Sequence, residues 1–153
     1  MNKLIRHSFL LLLGSLLCSC LDSEPDSESL SEQLIVVNTF LAAVTSSDIE
    51  TMEGLLAEDF IYTWVATTSS EISPSLMTEG RDTYLQPFRT RENTTNSNSL
   101  SMNVIQSTVI GNTILQERID TFNTSGGPLI WHTSSFFLVI DGKIQSWGDY
   151  EWP

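Results

Sequence analysis

The apolar residues of this chain follow helical spacing in its first half and strand spacing in its second half. Between residues 32 and 45 they recur every three or four positions, which predicts an amphipathic helix. These positions are Leu34, Val37, Phe40, Leu41 and Val44. A capping box formed by Ser47 and Glu50 predicts the start of a second helix. The apolar stripe of that helix consists of Ile49, Met52, Leu55 and Leu56. A short third helix is predicted from Arg81, and Pro87 should limit its length.

Aromatic and β-branched runs predict the strands of the domain. These runs cover residues 60–65, 100–110, 113–123, 129–140 and 143–151. Polar stretches at 66–78 and 90–99 predict loops, and Asp141-Gly142 is a hairpin signal between the last two strands. Helices followed by an antiparallel meander indicate an α+β domain in which a curved sheet packs against the helices.

Two short motifs in the last third of the chain point to acid–base chemistry. Arg118 and Asp120 are separated by one residue in an apolar run, and residues i and i+2 of a strand point to the same face. The second motif follows the hairpin signal and ends in Trp147-Gly148-Asp149-Tyr150. Two acids and an arginine that converge on one sheet face can run acid–base chemistry without a metal or a cofactor. The alternatives are that Arg118 and Asp120 form a surface ion pair and that Asp149 merely ends its strand.

The hairpin signal also predicts the register of the last two strands. A two-residue loop at Asp141-Gly142 pairs Ile140 with Lys143. Continued along the strands, this register gives three facing pairs: Asp149 with Ser134, Trp147 with Phe136, and Glu151 with His132. We therefore expect a pocket over this face that suits a mostly apolar ligand with one reactive oxygen. Its predicted lining consists of Phe122, His132, Ser134, Phe136 and Trp147.

The two motifs resemble those of the limonene-1,2-epoxide hydrolase family. This family belongs to the nuclear transport factor 2-like superfamily, which also contains polyketide cyclases and ketosteroid isomerases. The resemblance covers roughly residues 34–150 and is most specific at Arg118-x-Asp120 and at the segment that ends in Asp149-Tyr150. It implies a cone-shaped (cystatin-like) fold, with N-terminal helices packed on a curved antiparallel sheet and a pocket between them. It also implies chemistry that needs no cofactor and no metal.

The resemblance implies a role for each polar residue of the motifs. Asp149 would take a proton from water as the general base, and Asp120 would protonate the epoxide oxygen as the general acid. Arg118 would lie between them and hold one carboxylate ionised while the other stays protonated. Tyr62 aligns with the tyrosine that helps to hold the attacking water.

Two positions depart from the family pattern. Trp64 stands where the family has an asparagine as the other water ligand, and indole donates one hydrogen bond and accepts none. Gly148 stands where the family usually has an arginine. Three hypotheses therefore remain: an epoxide hydrolase-like enzyme, a polyketide cyclase- or isomerase-like enzyme, and a non-catalytic protein that binds a small apolar molecule. A homodimer is left open.

The amino terminus has the features of a bacterial lipoprotein signal. Lys3 and Arg6 precede an apolar run at 8–17, which is too short to cross a bilayer as a stable helix. The order Leu17-Cys18-Ser19-Cys20 fits the site at which a lipidated cysteine becomes the first mature residue. Residues 1–19 are therefore predicted to be a signal peptide, with Cys20 as the lipidated residue.

The segment after Cys20 is predicted to be a tether. Residues 20–31 are rich in Ser, Asp and Glu and have too few apolar side chains to pack, so we expect a disordered link to a folded domain at 32–153. Leu21 is not the aspartate that is associated with retention in the inner membrane. The expected location is the bacterial cell envelope, at the outer membrane and facing the periplasm.

Charge and cysteine content exclude several classes of function. Removal of residues 1–19 leaves five basic residues against nineteen acidic ones, a formal charge of −14. This balance excludes nucleic acid as a partner and leaves the acyl anchor as the link to the membrane. Both cysteines lie at or before position 20, so the folded body has no thiolate metal site, and His132 is its one histidine.

Overall fold

The computed structural model describes residues 27–66, 76–91 and 100–152. The predicted signal peptide, Cys20 and most of the tether lie outside these residues. The described helices are α1 (Ser27–Ser46), α2 (Ile49–Leu55) and α3 (Arg81–Arg91). The described strands are β1 (Leu56–Ala66), β2 (Leu76–Glu79), β3 (Leu100–Ile110), β4 (Thr113–Thr124), β5 (Gly127–Ile140) and β6 (Lys143–Trp152). The predicted α+β class is confirmed.

The two N-terminal helices begin at residues other than those predicted. α1 begins at Ser27, five residues before the predicted start of the helix at residue 32. The cap of α2 is Asp48, whose carboxylate accepts the backbone N–H of Thr51 at 3.1 Å. Ser47 does not cap the helix, because its φ of 58° differs from the extended backbone that a cap requires. None of the helices in the described ranges is both long and apolar enough to cross a membrane.

Two further elements differ from the prediction. The first three residues of the edge strand β2 lie in the segment 66–78, which was predicted to be a loop, and β2 pairs with β1. α3 continues past Pro87 to Arg91, so Pro87 does not end the helix. The proline costs one backbone hydrogen bond within α3.

The described strands form one sheet in the order β2-β1-β6-β5-β4-β3. All neighbouring pairs are antiparallel except β1 and β6, which are parallel. The last strand of the chain therefore lies inside the sheet, with β1 on one side and β5 on the other. Side chains near the end of β6 consequently have neighbours from both strands.

The predicted register of β5 and β6 is wrong by one residue beyond the start of the hairpin. Ile140 pairs with Lys143 as predicted, but the next pairs skip Gln145, which forms a β-bulge. When the register shifts by one residue, side chains that were predicted to share a face lie on opposite faces of the sheet. The observed pairs are Asp149 with Ser135, Trp147 with Phe137, and Glu151 with Thr133.

The helices cover one face of the sheet, which we call the inner face. Phe40 of α1 meets the Trp147 ring edge-on with 5.4 Å between centroids, and Phe137 stacks on the same ring at 5.5 Å. Tyr84 of α3 packs against Phe60 of β1 at 5.2 Å. Because large aromatic side chains contribute much of the apolar burial in a small domain, these contacts hold Trp147 firmly between the helices and the sheet.

On the opposite, outer face, Phe136 lies over Gly148. A Cβ atom at position 148 would overlap the Phe136 ring and lie 2.6 Å from its Cζ atom. A side chain as large as the arginine of the resembled family therefore does not fit unless Phe136 moves. Phe136 itself is 43% exposed, so it lies on the solvent side of the sheet rather than in the predicted pocket.

Candidate functional site

β4 contributes an ion pair that is almost completely buried on the inner face. Arg118 is 1% exposed and Asp120 is 3% exposed. Nε of Arg118 lies 2.9 Å from each carboxylate oxygen of Asp120, and the hydroxyl of Thr133 donates to Oδ2 at 3.0 Å. The alternative interpretation of this pair as a surface ion pair is therefore wrong.

Asp149 of β6 accepts hydrogen bonds from four side chains. Its Oδ2 accepts from Nη2 of Arg118 at 2.9 Å and from the hydroxyl of Tyr62 at 3.4 Å. Its Oδ1 accepts from the hydroxyl of Ser135 at 2.6 Å and from the indole N–H of Trp147 at 2.5 Å. A carboxylate has about four lone-pair positions, so the number of donors matches the number of positions. The contact with Tyr62 is the weakest, because 3.4 Å exceeds the usual range for an O–H···O bond.

Arg118 links the two carboxylates into one cluster. It binds Asp120 through Nε and Asp149 through Nη2, and its Nη1 donates to the hydroxyl of Ser135. Its guanidinium carbon lies 5.4 Å from the ring centroid of Trp147, which is within cation–π range. The three charged groups of the sequence motifs are thus in direct contact, with Arg118 at the centre.

A cavity of about 320 Å³ lies between this cluster and the helices. Aromatic rings form much of its wall: Tyr62, Tyr84, Phe88, Trp131 and Trp147. Three carboxylates also line it, from Asp120, Asp149 and Glu151. Within the described residues, no group of three or more His, Cys, Asp or Glu side chains is arranged to hold a metal ion. A cavity of this size is at the small end of the range for ligand pockets.

Glu151 is a cavity residue to which the sequence analysis gave no role. It follows Asp149 by two positions on the inner face of β6, and the indole N–H of Trp64 donates to its carboxylate. Trp64 itself lies beside Asp149 in the parallel pairing of β1 with β6. The i,i+2 spacing from Asp149 is the signal that could have singled out Glu151.

The sheet separates the predicted pocket residues into two groups. On the inner face lie Trp64, Phe122 and Trp147, together with the predicted catalytic Tyr62, and of these four Tyr62 and Trp147 line the cavity. On the outer face lie His132, Ser134 and Phe136. His132 stacks on Trp152 with 6.2 Å between ring centroids, and Ser134 donates to Glu117 at 2.7 Å. The placement of these three residues in the pocket is therefore corrected, and its cause is the bulge at Gln145.

Burial governs the protonation of the charged cluster. Burial raises the pKa of Asp149, although the charge of Arg118 opposes this shift. Burial also raises the pKa of Glu151; the hydrogen bond from Trp64 opposes the shift and the charge of Asp149 adds to it. Burial alone would lower the pKa of Arg118, but the charge of Asp149 and the bonds to both aspartates raise it overall. The site therefore combines one permanent cation with two carboxyl groups, those of Asp149 and Glu151, whose pKa values are raised.

Comparisons with known proteins support the fold. No protein-family model and no curated protein matches the sequence. Among solved structures, an LEH-like epoxide hydrolase from M. tuberculosis is 21% identical over 79% of this chain and 83% of its own, with a TM-score of 0.64. A candidate polyketide cyclase from Streptomyces antibioticus is 17% identical over 78% of this chain and 91% of its own, with a TM-score of 0.59.

A third similar structure is a protein of ketosteroid isomerase-like fold from Catenulispora acidiphila, in complex with trimethylamine. It is 16% identical over 75% of this chain and 83% of its own, with a TM-score of 0.58. Together with the geometry above, these similarities show that the chain has a nuclear transport factor 2-like fold. The expected α+β architecture, with helices packed on a curved and mostly antiparallel sheet, is thereby confirmed.

Proposed function

We propose that this protein hydrolyses a small, mostly apolar epoxide without a metal or a cofactor. The observation that carries the proposal is the bridge of Arg118 between Asp120 and Asp149 beside an aromatic cavity. Two nearby carboxylates can be held in different protonation states, one as a base and the other as an acid. A proton donor next to a proton acceptor is the combination that epoxide opening by water requires.

The reaction needs one carboxylate as a base and one carboxylic acid as a proton donor. Water attacks an epoxide carbon while the base takes its proton, and the C–O bond breaks as Asp120 protonates the departing oxygen, which yields a diol. The family resemblance gives the role of base to Asp149. Arg118 stays positively charged throughout because its pKa is raised. Burial also raises the pKa of Tyr62, so its hydroxyl stays protonated and can orient the water.

Turnover of epoxides tests this proposal directly. With a panel of neutral apolar epoxides, we expect the purified domain to form diols without added metal or nucleotide, and a chelator should not change the rate. Diol formation would be followed by mass spectrometry in ¹⁸O-labelled water, which marks the oxygen that comes from solvent. Absence of a diol together with tight binding of an apolar ligand would favour the binding-protein hypothesis. Proton exchange at an acidic C–H without diol formation would favour an isomerase-like reaction, which needs one carboxylate and an oxyanion donor.

We further propose that the domain is attached to a bacterial envelope membrane through a lipid on Cys20. The proposal rests on the basic start of the chain, the apolar run at 8–17 and the order Leu17-Cys18-Ser19-Cys20. The excess of acidic over basic residues does not favour electrostatic binding to an anionic bilayer. The outer membrane, facing the periplasm, is the proposed location in a cell that has one.

Cys20→Ala is expected to abolish lipidation. Mass spectrometry should show the loss of the acyl mass, and the variant should no longer partition into detergent. Cys18→Ala is the matched control, because Cys18 would leave with the signal peptide and its replacement should change neither readout. An acyl mass that persists in Cys20→Ala would refute the assignment.

A further inference from the structure

Asp149 is poorly placed to accept a proton from a substrate water. Four donors surround its lone-pair positions, the Tyr62 hydroxyl only weakly at 3.4 Å, and the residue is only 5% exposed. Three of these donors, from Arg118, Ser135 and Trp147, lie between 2.5 and 2.9 Å. A water that reached this carboxylate would have to approach Oδ2 beside the Tyr62 hydroxyl.

Glu151 offers a second carboxylate in the same cavity. It lies on the inner face of β6 two residues after Asp149, and it is half-buried rather than enclosed. The indole N–H of Trp64 donates to it. The cavity reaches this carboxylate, so a water held in the cavity can contact it.

We infer that Glu151, and not Asp149, takes the proton from the attacking water, while Asp149 holds Arg118 in position. This inference rests on the proposed hydrolysis and changes which carboxylate acts as its base. The water oxygen forms a bond to an epoxide carbon as its proton passes to Glu151. The electron pair of the broken C–O bond stays on the epoxide oxygen, which takes a proton from Asp120. Transfer of a proton from Glu151 to Asp120 through solvent then restores the starting state.

The surroundings of Glu151 favour this role. The charged groups that shift its pKa include Asp149 of its own strand and Asp120 and Arg118 of β4. Its facing residue on β5 is Thr133, which is uncharged. Burial and the charge of Asp149 raise the pKa of Glu151, against the opposing effects of the bond from Trp64 and the charge of Arg118. A carboxylate with a raised pKa is a stronger base than an ordinary glutamate.

The inference also gives a function to Trp64, which departs from the asparagine of the resembled family. An indole cannot accept a hydrogen bond from water, but it can orient a carboxylate that does. Trp64 would then be a positioning residue that acts through Glu151. Trp64→Phe keeps an aromatic ring at this position but is smaller and lacks the indole N–H, so it should lower kcat several-fold with little change in KM.

Glu151→Gln separates the two candidate bases. The amide is nearly isosteric and can still accept the N–H of Trp64, but it cannot take up a proton from water. We expect kcat to fall by about 10²-fold, with KM largely retained. In the wild type, kcat/KM should rise with pH through an ionisation above the ordinary range for glutamate, and this acid limb should be missing in Glu151→Gln. Glu117→Gln is the matched control, since Glu117 lies on the outer face of β4, bonded to Ser134.

A second measurement does not depend on turnover. Carboxyl ¹³C resonances of labelled protein can be followed as an apolar diol is added, because a product hydroxyl would occupy the position of the water. We expect the Glu151 resonance to shift more than that of Asp149. A wild-type protein that forms a diol, with kcat and acid limb unchanged in Glu151→Gln, overturns this inference and leaves the proposed hydrolysis in place. If no diol forms, the hydrolysis is refuted and Glu151 is not its base, whichever resonance moves.

Discussion

Arg118→Met is expected to lower the free energy of unfolding by about 3–5 kcal/mol, the usual cost of removing one partner from a buried ion pair. The guanidinium is completely buried and binds Asp120, Asp149 and Ser135. Its removal leaves two carboxylates in the protein interior without a cation. Methionine retains a long unbranched side chain, so the loss reports mainly charge and hydrogen bonds rather than an empty cavity. Urea unfolding followed by tryptophan fluorescence measures the difference.

Arg89→Met is the matched control for the buried arginine. Arg89 also contacts two carboxylates, Glu53 at 3.0 Å and Asp82 at 3.3 Å, but its side chain is 39% exposed. Exposed ion pairs contribute roughly 0–1 kcal/mol, because water and salt screen them. Equal losses in the two variants would contradict the view that burial makes the Arg118 cluster the main electrostatic element of the fold.

The cost of Arg118→Met should also increase as the pH rises. Without the guanidinium, the pKa of Asp149, which burial already raises, should rise further in the folded state. A carboxyl whose folded pKa exceeds its unfolded pKa binds a proton more tightly in the folded protein. Its contribution to stability is complete below the unfolded pKa and is lost as the pH rises through the folded pKa. The difference in the free energy of unfolding between wild type and Arg118→Met should therefore be smallest in acid. A difference that does not change with pH would contradict this account.

The parts of the site that could be predicted from the sequence are those that depend on one strand alone. Arg118 and Asp120 share a face because side chains alternate along β4, whatever strand lies next to it. The same rule puts Trp147, Asp149 and Glu151 together on β6. The hairpins between β3 and β6 could also be predicted, because short polar turns separate long apolar runs.

The facing residues could not be predicted because they depend on register. The bulge at Gln145 falls between Ile144 and Ser146, with no glycine or other turn residue to mark it. One extra residue was enough to replace Ser134 with Ser135 as the partner of Asp149. The parallel neighbour β1 is far from β6 in the sequence. Only the family resemblance therefore predicted that Tyr62 and Trp64 lie at the site. The edge strand β2 was missed because it is short. It comprises Leu76–Glu79, and its first three residues lie in a segment that was predicted to be a polar loop.

Asp120→Asn is expected to lower kcat for epoxide opening by ~10²–10⁴-fold, the usual effect of losing a positioned acid. The amide oxygen can still accept Nε of Arg118, and the bond from Arg118 to Asp149 at 2.9 Å does not involve Asp120. The buried cation therefore keeps a carboxylate partner, and the loss of stability should be smaller than in Arg118→Met. The amide cannot protonate a departing oxygen, so the defect should appear in turnover while binding of an apolar diol is retained.

The choice of substrate distinguishes a missing acid from a distorted site. An epoxide with an electron-withdrawing substituent forms a more stable alkoxide and needs less help from a proton donor. Asp120→Asn should therefore lose less activity on that epoxide than on an unsubstituted one, whereas a distorted cavity would impair both equally. Because acid and base act as a unit, Asp120→Asn combined with Glu151→Gln should be scarcely slower than the slower single variant. If the fold-loss of kcat in the double variant equals the product of the two single losses, the carboxylates act in separate steps.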